Sequence, residues 1–378
     1  MSELSEFNKN LKKALEMNTK EIAQKAIYMP ILKSKMGELN AIKELDIESK
    51  SKMFPLFEIH ERTYDWNNEN YTTTYEKHLT KLVSNIDKSW HNAYKIAIDC
   101  NSLDDFINPS TYTLHYLLGV MIEKKLNPIP VFSLDTDFAV IGSIAPLFKD
   151  EMIENVCIRV KISQIIEYDL QTLIDAIKSK LDINEENVIL LFDIEYMSHN
   201  QIATAQMATI MYLSGVPNLK LFNELFVSVT SFPINLANIG TNVVHTIDRI
   251  DTSISKFINS NKNRFKRIPK YSDYVIANPE INIIDPRIMT MSASIRYSAI
   301  DKWYIFKGQS TKKKGFEQFY KLSKDVVNHP CYLGEDYSWG DKFIKEKSLE
   351  QGTTGNATTW RKVATNHHLK LMINHLSS

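Results

Sequence analysis

The chain has 378 residues with Lys plus Arg and Asp plus Glu balanced at 45 each, so no bulk charge draws it onto a nucleic-acid backbone or an anionic membrane. Its length suffices for one large core of roughly 250 residues with an appended part. No run of 18 apolar residues occurs and the polar start MSELSEFNKN lacks an apolar signal core, so the expectation is a soluble, cytoplasmic protein with no membrane partner.

Residues 4–25 read as a polar helix, which makes 1–26 a helical extension. From there short β-branched or aromatic runs alternate with longer amphipathic stretches. The runs are IYMPILK (27–33), MFPLFEI (53–59), KIAIDC (95–100), PIPVFSLD (128–135), NVCIRVK (155–161), NVILLFDIEY (187–196), LFVSVTS (225–231) and SDYVIANP (272–279). Helical patterns lie between them at 37–45, 71–86, 111–125, weakly at 137–150, then at 164–181, 200–215 and 246–262. Such a change of period marks βα units. Eight of them match a closed (β/α)₈ TIM-like barrel; an open, mostly parallel α/β sheet is the alternative. A dinucleotide fold is disfavoured because no G-x-G-x-x-G follows the first strand, and no Walker A motif is present.

The rhythm breaks after residue 280, which places an α/β core at 27–291 and a C-terminal elaboration at 292–378. In the latter, SASIRYSAIDKWYIFKG (292–308) reads as a hairpin around Ala299–Lys302, and STKKKG as a polar tether. A helix follows at 316–329, and a last helix at 358–376 is expected to be capped by Thr358 or Thr359. Trp303, Trp339 and Trp360 are expected to anchor this tail to the core. The tail could then cover one mouth of the barrel.

Side chains alternate along a strand, so residues counted back by twos share a face. Lys33, Glu58, Asp99, Arg159, Asp193 and Glu195 each follow an apolar or small residue on such a face. In a barrel the apolar members fill the interior and the charges reach the carboxyl-end rim, where this fold places its chemistry. Two accounts stay open. In one, Asp193 and Glu195 pair with Arg159 on the neighbouring strand. In the other, Glu58, Asp99, Asp193 and Glu195 hold Mg²⁺ or Mn²⁺, Glu58, Asp193, Glu195 and His368 act in catalysis, and Lys33, Lys35, Arg159, Arg296 and Arg361 bind substrate or phosphate. No cofactor is required by the pattern. Asn356, Arg361 and His368 form one expected polar surface on the last helix. Adjacent helical residues such as His367 and His368 point about 100° apart and do not suit one metal. Cys157 reads as a small buried hydrophobe.

The segments YMPILKSKMGELNAIKEL (28–45), PLFEI (55–59), SIRYSAIDKWYIFKG (294–308), YSWGDKFI (337–344) and GNATTWRKVATNHHL (355–369) resemble the beta protein family of bacteria and phages, and point to bacteriophage T4 for its type member. The resemblance spans nearly the whole chain. It implies a phage-related accessory protein, with a part in phage–host conflict and antiviral defence as a contextual expectation. It carries over no catalytic residues.

Three functions follow as expectations. The first is recognition of a protein or small-molecule ligand, with a homodimer as the simplest assembly. The second is metal-assisted phosphoester hydrolysis at the carboxyl ends of the strands. The third, less favoured by the neutral charge, is nucleic-acid binding through KSK–GEL and the C-terminal polar segments. The run Lys312–Lys314 reads as a solvated linker.

Overall fold

The computed structural model describes residues 26–280 and 291–378. The helical extension expected over 1–26 falls outside the described residues up to residue 25. Eight parallel strands close into a barrel: β1 (Tyr28–Lys33), β2 (Leu56–Glu58), β3 (Lys95–Asp99), β4 (Asn127–Ser133), β5 (Val156–Lys161), β6 (Val188–Tyr196), β7 (Glu224–Thr230) and β9 (Lys270–Asp273). Because β1 pairs with both β2 and β9, the sheet has no edge, and the open-sheet alternative falls.

The alternation read from the sequence holds. Ile31, Leu56, Ala97, Val131, Cys157, Leu191 and Phe226 form a filled interior cluster. Flanking outward residues such as Phe132, Ile158, Leu190 and Phe192 pack under the surrounding helices. Those helices are α1 (Met36–Lys43), α2 (Tyr75–Asp87), α3 (Thr113–Glu123), α4 (Leu170–Leu181), α5 (Ile202–Gly215) and α6 (Ile250–Ser260), with two short helices at Phe138–Ser143 and Ala145–Lys149. α2 shows why they form. Thr74 caps its first turn by accepting from Lys77 N, and Leu79, Leu82, Val83 and Ile86 make one buried stripe.

The helix expected at 246–262 starts later. VVHTID is extended as β8 (Val243–Asp248), and α6 follows it. Its β-branched residues pair antiparallel with β11 (Lys302–Ser310), which pairs in turn with β10 (Ser292–Ser298). This three-stranded sheet lies outside the barrel, and the β10–β11 turn closes by Ala299 N donating to Lys302 O at 2.7 Å, as the hairpin reading required. The polar tether forms one helical turn, Thr311–Lys314. Beyond it come α7 (Gln318–Val327), α8 (Trp339–Ser348) and α9 (Ala357–Ser377).

Asn356, not Thr358 or Thr359, caps α9. It forms a capping box in which its side chain accepts from Thr359 N at 3.1 Å. α9 packs against α1, α8, β10 and the outer face of β1. Trp303 is buried against Phe232 on the barrel side, whereas Trp360 stacks on Phe319 inside the tail's own core. Trp339 is half-buried, under the ammonium of Lys362 at 3.7 Å. Only one of the three tryptophans therefore anchors the tail as expected.

Candidate binding site at the carboxyl end of the barrel

Three carboxylates projected from the strand ends meet at one residue. Arg159 is 1% exposed, and its guanidinium donates to Asp193 at 2.8 Å, Glu58 at 2.8 Å, Asp99 at 2.6 Å and the hydroxyl of Tyr274 at 2.7 Å. Tyr274 donates onward to Asp193, and Ser228 donates to the second Asp193 oxygen at 2.8 Å. Asn101 donates to Asp99 through its backbone and its side chain. Lys33 closes the set by bonding Glu58. Burial alone would push Glu58 up; the adjacent Arg159 and Lys33 bring its carboxyl below the usual range. Burial would press the Arg159 guanidinium down, but Tyr274, Asp193, Glu58 and Asp99 hold its proton more firmly than usual.

Convergence of Glu58, Asp99 and Asp193 was expected, but a guanidinium occupies the point where Mg²⁺ or Mn²⁺ was placed. Among the described residues no group of three or more His, Cys, Asp or Glu is arranged to hold a metal ion. Glu195 leaves the set. Its backbone is left-handed (φ 62°), and its half-buried side chain accepts from Ser163 N at 3.1 Å. Arg159 is likewise consumed inside the network and is not presented to a substrate.

His368 also lies elsewhere. It is fully buried on the inner face of α9, with Nε2 2.8 Å from Asp273 and Nδ1 2.8 Å from the Ser298 hydroxyl. Asp273 belongs to an outer layer with Tyr28, Tyr271, Arg249 and Asp251, on the opposite face of the strands from Arg159. Burial presses the His368 imidazole down despite Asp273, so a proton carrier at the mouth is replaced by a neutral donor in a packed layer. The surface expected from Asn356, Arg361 and His368 does not exist, since Asn356 is exposed, Arg361 half-buried and His368 enclosed. Cys157 is the buried hydrophobe it was read to be, and burial pushes its thiol up.

What remains at the carboxyl end is cationic. Arg296 from β10 and Arg361 from α9 both donate to one carbonyl, Ile276 O, at 3.4 and 3.1 Å. That carbonyl is set by a strained turn: Val275 sits at φ 59°, rare for a β-branched residue, held by its N–H donating to Asp273 Oδ1 at 3.0 Å. Arg361 crosses α1 at Gly37, where a Cβ would meet its Cγ at 2.8 Å. Lys35 stands exposed at the start of α1, whose first turn has no side-chain cap. Among the described residues no carboxylate lies within ion-pair distance of Arg296, Arg361 or Lys35. Two like charges share one neutral acceptor, and the Arg296 guanidinium is accordingly pressed down, by burial first and Arg361 second.

Glu38 on α1 faces this group. It is 4% exposed, one carboxylate oxygen has no hydrogen-bond partner, and burial raises its carboxyl to about 7 against the opposing pull of Arg361, Lys33 and Lys35. Sequence reasoning placed Glu38 within a shared segment but gave it no role, because one glutamate on a helix carries no burial signal.

An open groove of about 700 Å³ lies elsewhere, between β11 and α7, where Lys321 pairs with Asp325 at 2.7 Å. It contains none of the expected site residues except through the exposed Lys312–Lys314 run, which reaches it at Lys314. No helix among the described residues is long and apolar enough to cross a membrane.

Fold and site together define a closed α/β-barrel protein whose interior acids are engaged by Arg159 and Lys33, and in which Arg296, Arg361 and Lys35 gather, without a described carboxylate partner, where the C-terminal elaboration meets the barrel. The chain belongs to the beta protein family, whose model matches residues 28–374. It is 22% identical over 362 residues to Protein beta of Enterobacteria phage P4, covering 92% of each chain. The family resemblance read from the sequence is thereby confirmed, with phage P4 in place of T4 as the phage source.

Proposed function

We propose that this phage-related protein is a cytoplasmic recognition component that binds a small anionic ligand where β1, α1, β10 and α9 meet. The carrying observation is the pair Arg296 and Arg361, unneutralised by any described carboxylate and turned onto one backbone carbonyl. Binding is favoured over turnover because the acids that metal-assisted hydrolysis requires are already engaged by Arg159. A role in phage–host conflict would then consist of sensing such a ligand or presenting it to a protein partner.

The test is calorimetric titration of the whole chain with phosphate esters, nucleotides and small carboxylates, repeated with Arg361→Gln. Binding that weakens about tenfold or more in the variant supports the reading, the loss expected for one charge-assisted contact. Absence of binding across all three classes, or affinity indifferent to Arg361→Gln, overturns it.

A further inference from the structure

We infer that the ligand group held by Arg296, Arg361 and Lys35 is a tetrahedral dianion of the phosphate or sulfate type, and that its binding places a proton on Glu38. This rests on the recognition reading above and names the chemistry of that site.

The charge count points to two negative charges. Lys33 pairs with Glu58, and among the described residues Glu38 is the acid that Lys35, Arg296 and Arg361 face. Against these three described cations a dianion is the better match in either state of Glu38: it balances them together with an ionised Glu38, and leaves one positive charge, where a monoanion leaves two, once Glu38 is protonated. A planar carboxylate supplies one negative charge, whereas a tetrahedral dianion supplies two and has oxygens for three donors from different directions. The donors do arrive separately, from the start of α1, from β10 and from α9. α1 begins uncapped beside Lys35, so the positive end of its dipole adds to the same field.

The unpartnered oxygen of Glu38 is the independent observation. A buried acceptor with no donor is costly, and it becomes a donor once protonated. Charges facing Glu38 come from every side: Arg361 on α9, Arg296 on β10, Lys33 on β1, Lys35 before α1 and Glu58 on β2. At neutral pH these leave Glu38 near half-protonated. A dianion arriving among the same cations offsets their pull, and Glu38 then takes up a proton from solvent and donates it in a hydrogen bond to the ligand. No covalent bond forms or breaks.

Sulfate is the suitable probe because it does not titrate near neutrality. Calorimetry of the full chain with sulfate, in two buffers of different ionisation heat at pH 7, reads the uptake directly. About half a proton per sulfate is expected, approaching one at pH 8.5. Glu38→Gln should abolish uptake and keep affinity within about threefold at pH 6, where the acid is already protonated. Lys35→Gln, at an exposed position that the fold does not need, should weaken sulfate about threefold to tenfold. If carboxylates bind and sulfate does not, the dianion inference fails and the recognition reading stands. If nothing anionic binds, both fail. Sulfate binding without uptake, or uptake that persists in Glu38→Gln, removes Glu38 from the site.

Discussion

Replacing Arg159 by Met tests whether the charged interior is structural. The wild-type guanidinium, 1% exposed, supplies four hydrogen bonds, to Asp193, Glu58, Asp99 and Tyr274. Met has a similar length and leaves no large void, so the loss is mainly electrostatic. Glu58 keeps Lys33, but Asp99 and Asp193 are left buried without a cation. Removing one partner of such a set costs about 3–5 kcal/mol, whereas replacing the whole set by neutral groups costs far less. Arg159→Met should therefore lose about that much in urea unfolding followed by tryptophan fluorescence at pH 7. Arg159→Met combined with Asp99→Asn and Asp193→Asn should regain at least half of it. The pH dependence has a definite sign. Glu58 is held below its ordinary range when folded, so its contribution is present above the ordinary carboxylate pKa and is lost as pH falls through the folded value. The single variant, with Arg159 gone, should lose less stability than wild type on acidification. A single variant within about 1 kcal/mol of wild type, or a triple variant no better than the single, refutes the account.

Two further outcomes follow from particular contacts. The Glu38 carboxyl is raised to about 7, so the unfolded chain ionises it first, and wild-type stability should fall by up to about 3 kcal/mol as pH rises from the ordinary glutamate range to 7. Glu38→Gln should flatten that slope in urea midpoints taken at pH 5 and 8; an unchanged slope counts against it. Gly340 starts α8 against α9, where a Cβ would stand 2.4 Å from Val363 O, so Gly340→Ala should cost about 3 kcal/mol through backbone displacement, read by thermal unfolding.

The barrel was legible because its strands are buried on both faces and still alternate in what they bury. Ile31–Lys33, Leu56–Glu58, Ala97–Asp99 and Cys157–Arg159 could be assigned to the interior from spacing alone. Spacing could not say what the charges do on meeting. That depends on Arg159 being long enough to reach three acids on three strands, a property of closure and register. Glu195 misled for a local reason: counting by twos assumes extended backbone, and the left-handed residue at the end of β6 ends the alternation. β8 was missed because its alternation of half-buried and exposed residues blends into the amphipathic start of α6, and only its partner β11, more than fifty residues on, makes it a strand. The cation pair at Ile276 combines residues 65 positions apart in the chain with a turn strained at Val275, and nothing local encodes that meeting.

His367 and His368 give the last test, because neighbours of one residue type meet different hydrogen-bond partners. They diverge around α9, so one faces the C-terminal elaboration and the other the barrel. His367 has Asp341 at 2.8 Å from Nδ1 and the carbonyl of Ser298 at 2.8 Å from Nε2. Both partners accept, so each ring nitrogen of His367 faces an acceptor. Burial would raise Asp341, yet His367 beside it brings its carboxyl below the ordinary range. His368 instead meets an acceptor, Asp273, at Nε2 and a hydroxyl able to donate, Ser298 Oγ, at Nδ1, so a neutral ring satisfies both. Asp273 also retains Arg249. His367→Gln cannot reach both acceptors at once, leaves either the Asp341 carboxylate or the Ser298 carbonyl buried without that partner, and should cost about 2–4 kcal/mol. His368→Gln removes one neutral donor from an acid that keeps a cation, and should cost about 1–2 kcal/mol. Urea unfolding of the two variants at pH 7 decides the matter: equal losses, or a larger loss at His368, would show that the two acceptors at His367 do not make it the more costly ring to remove.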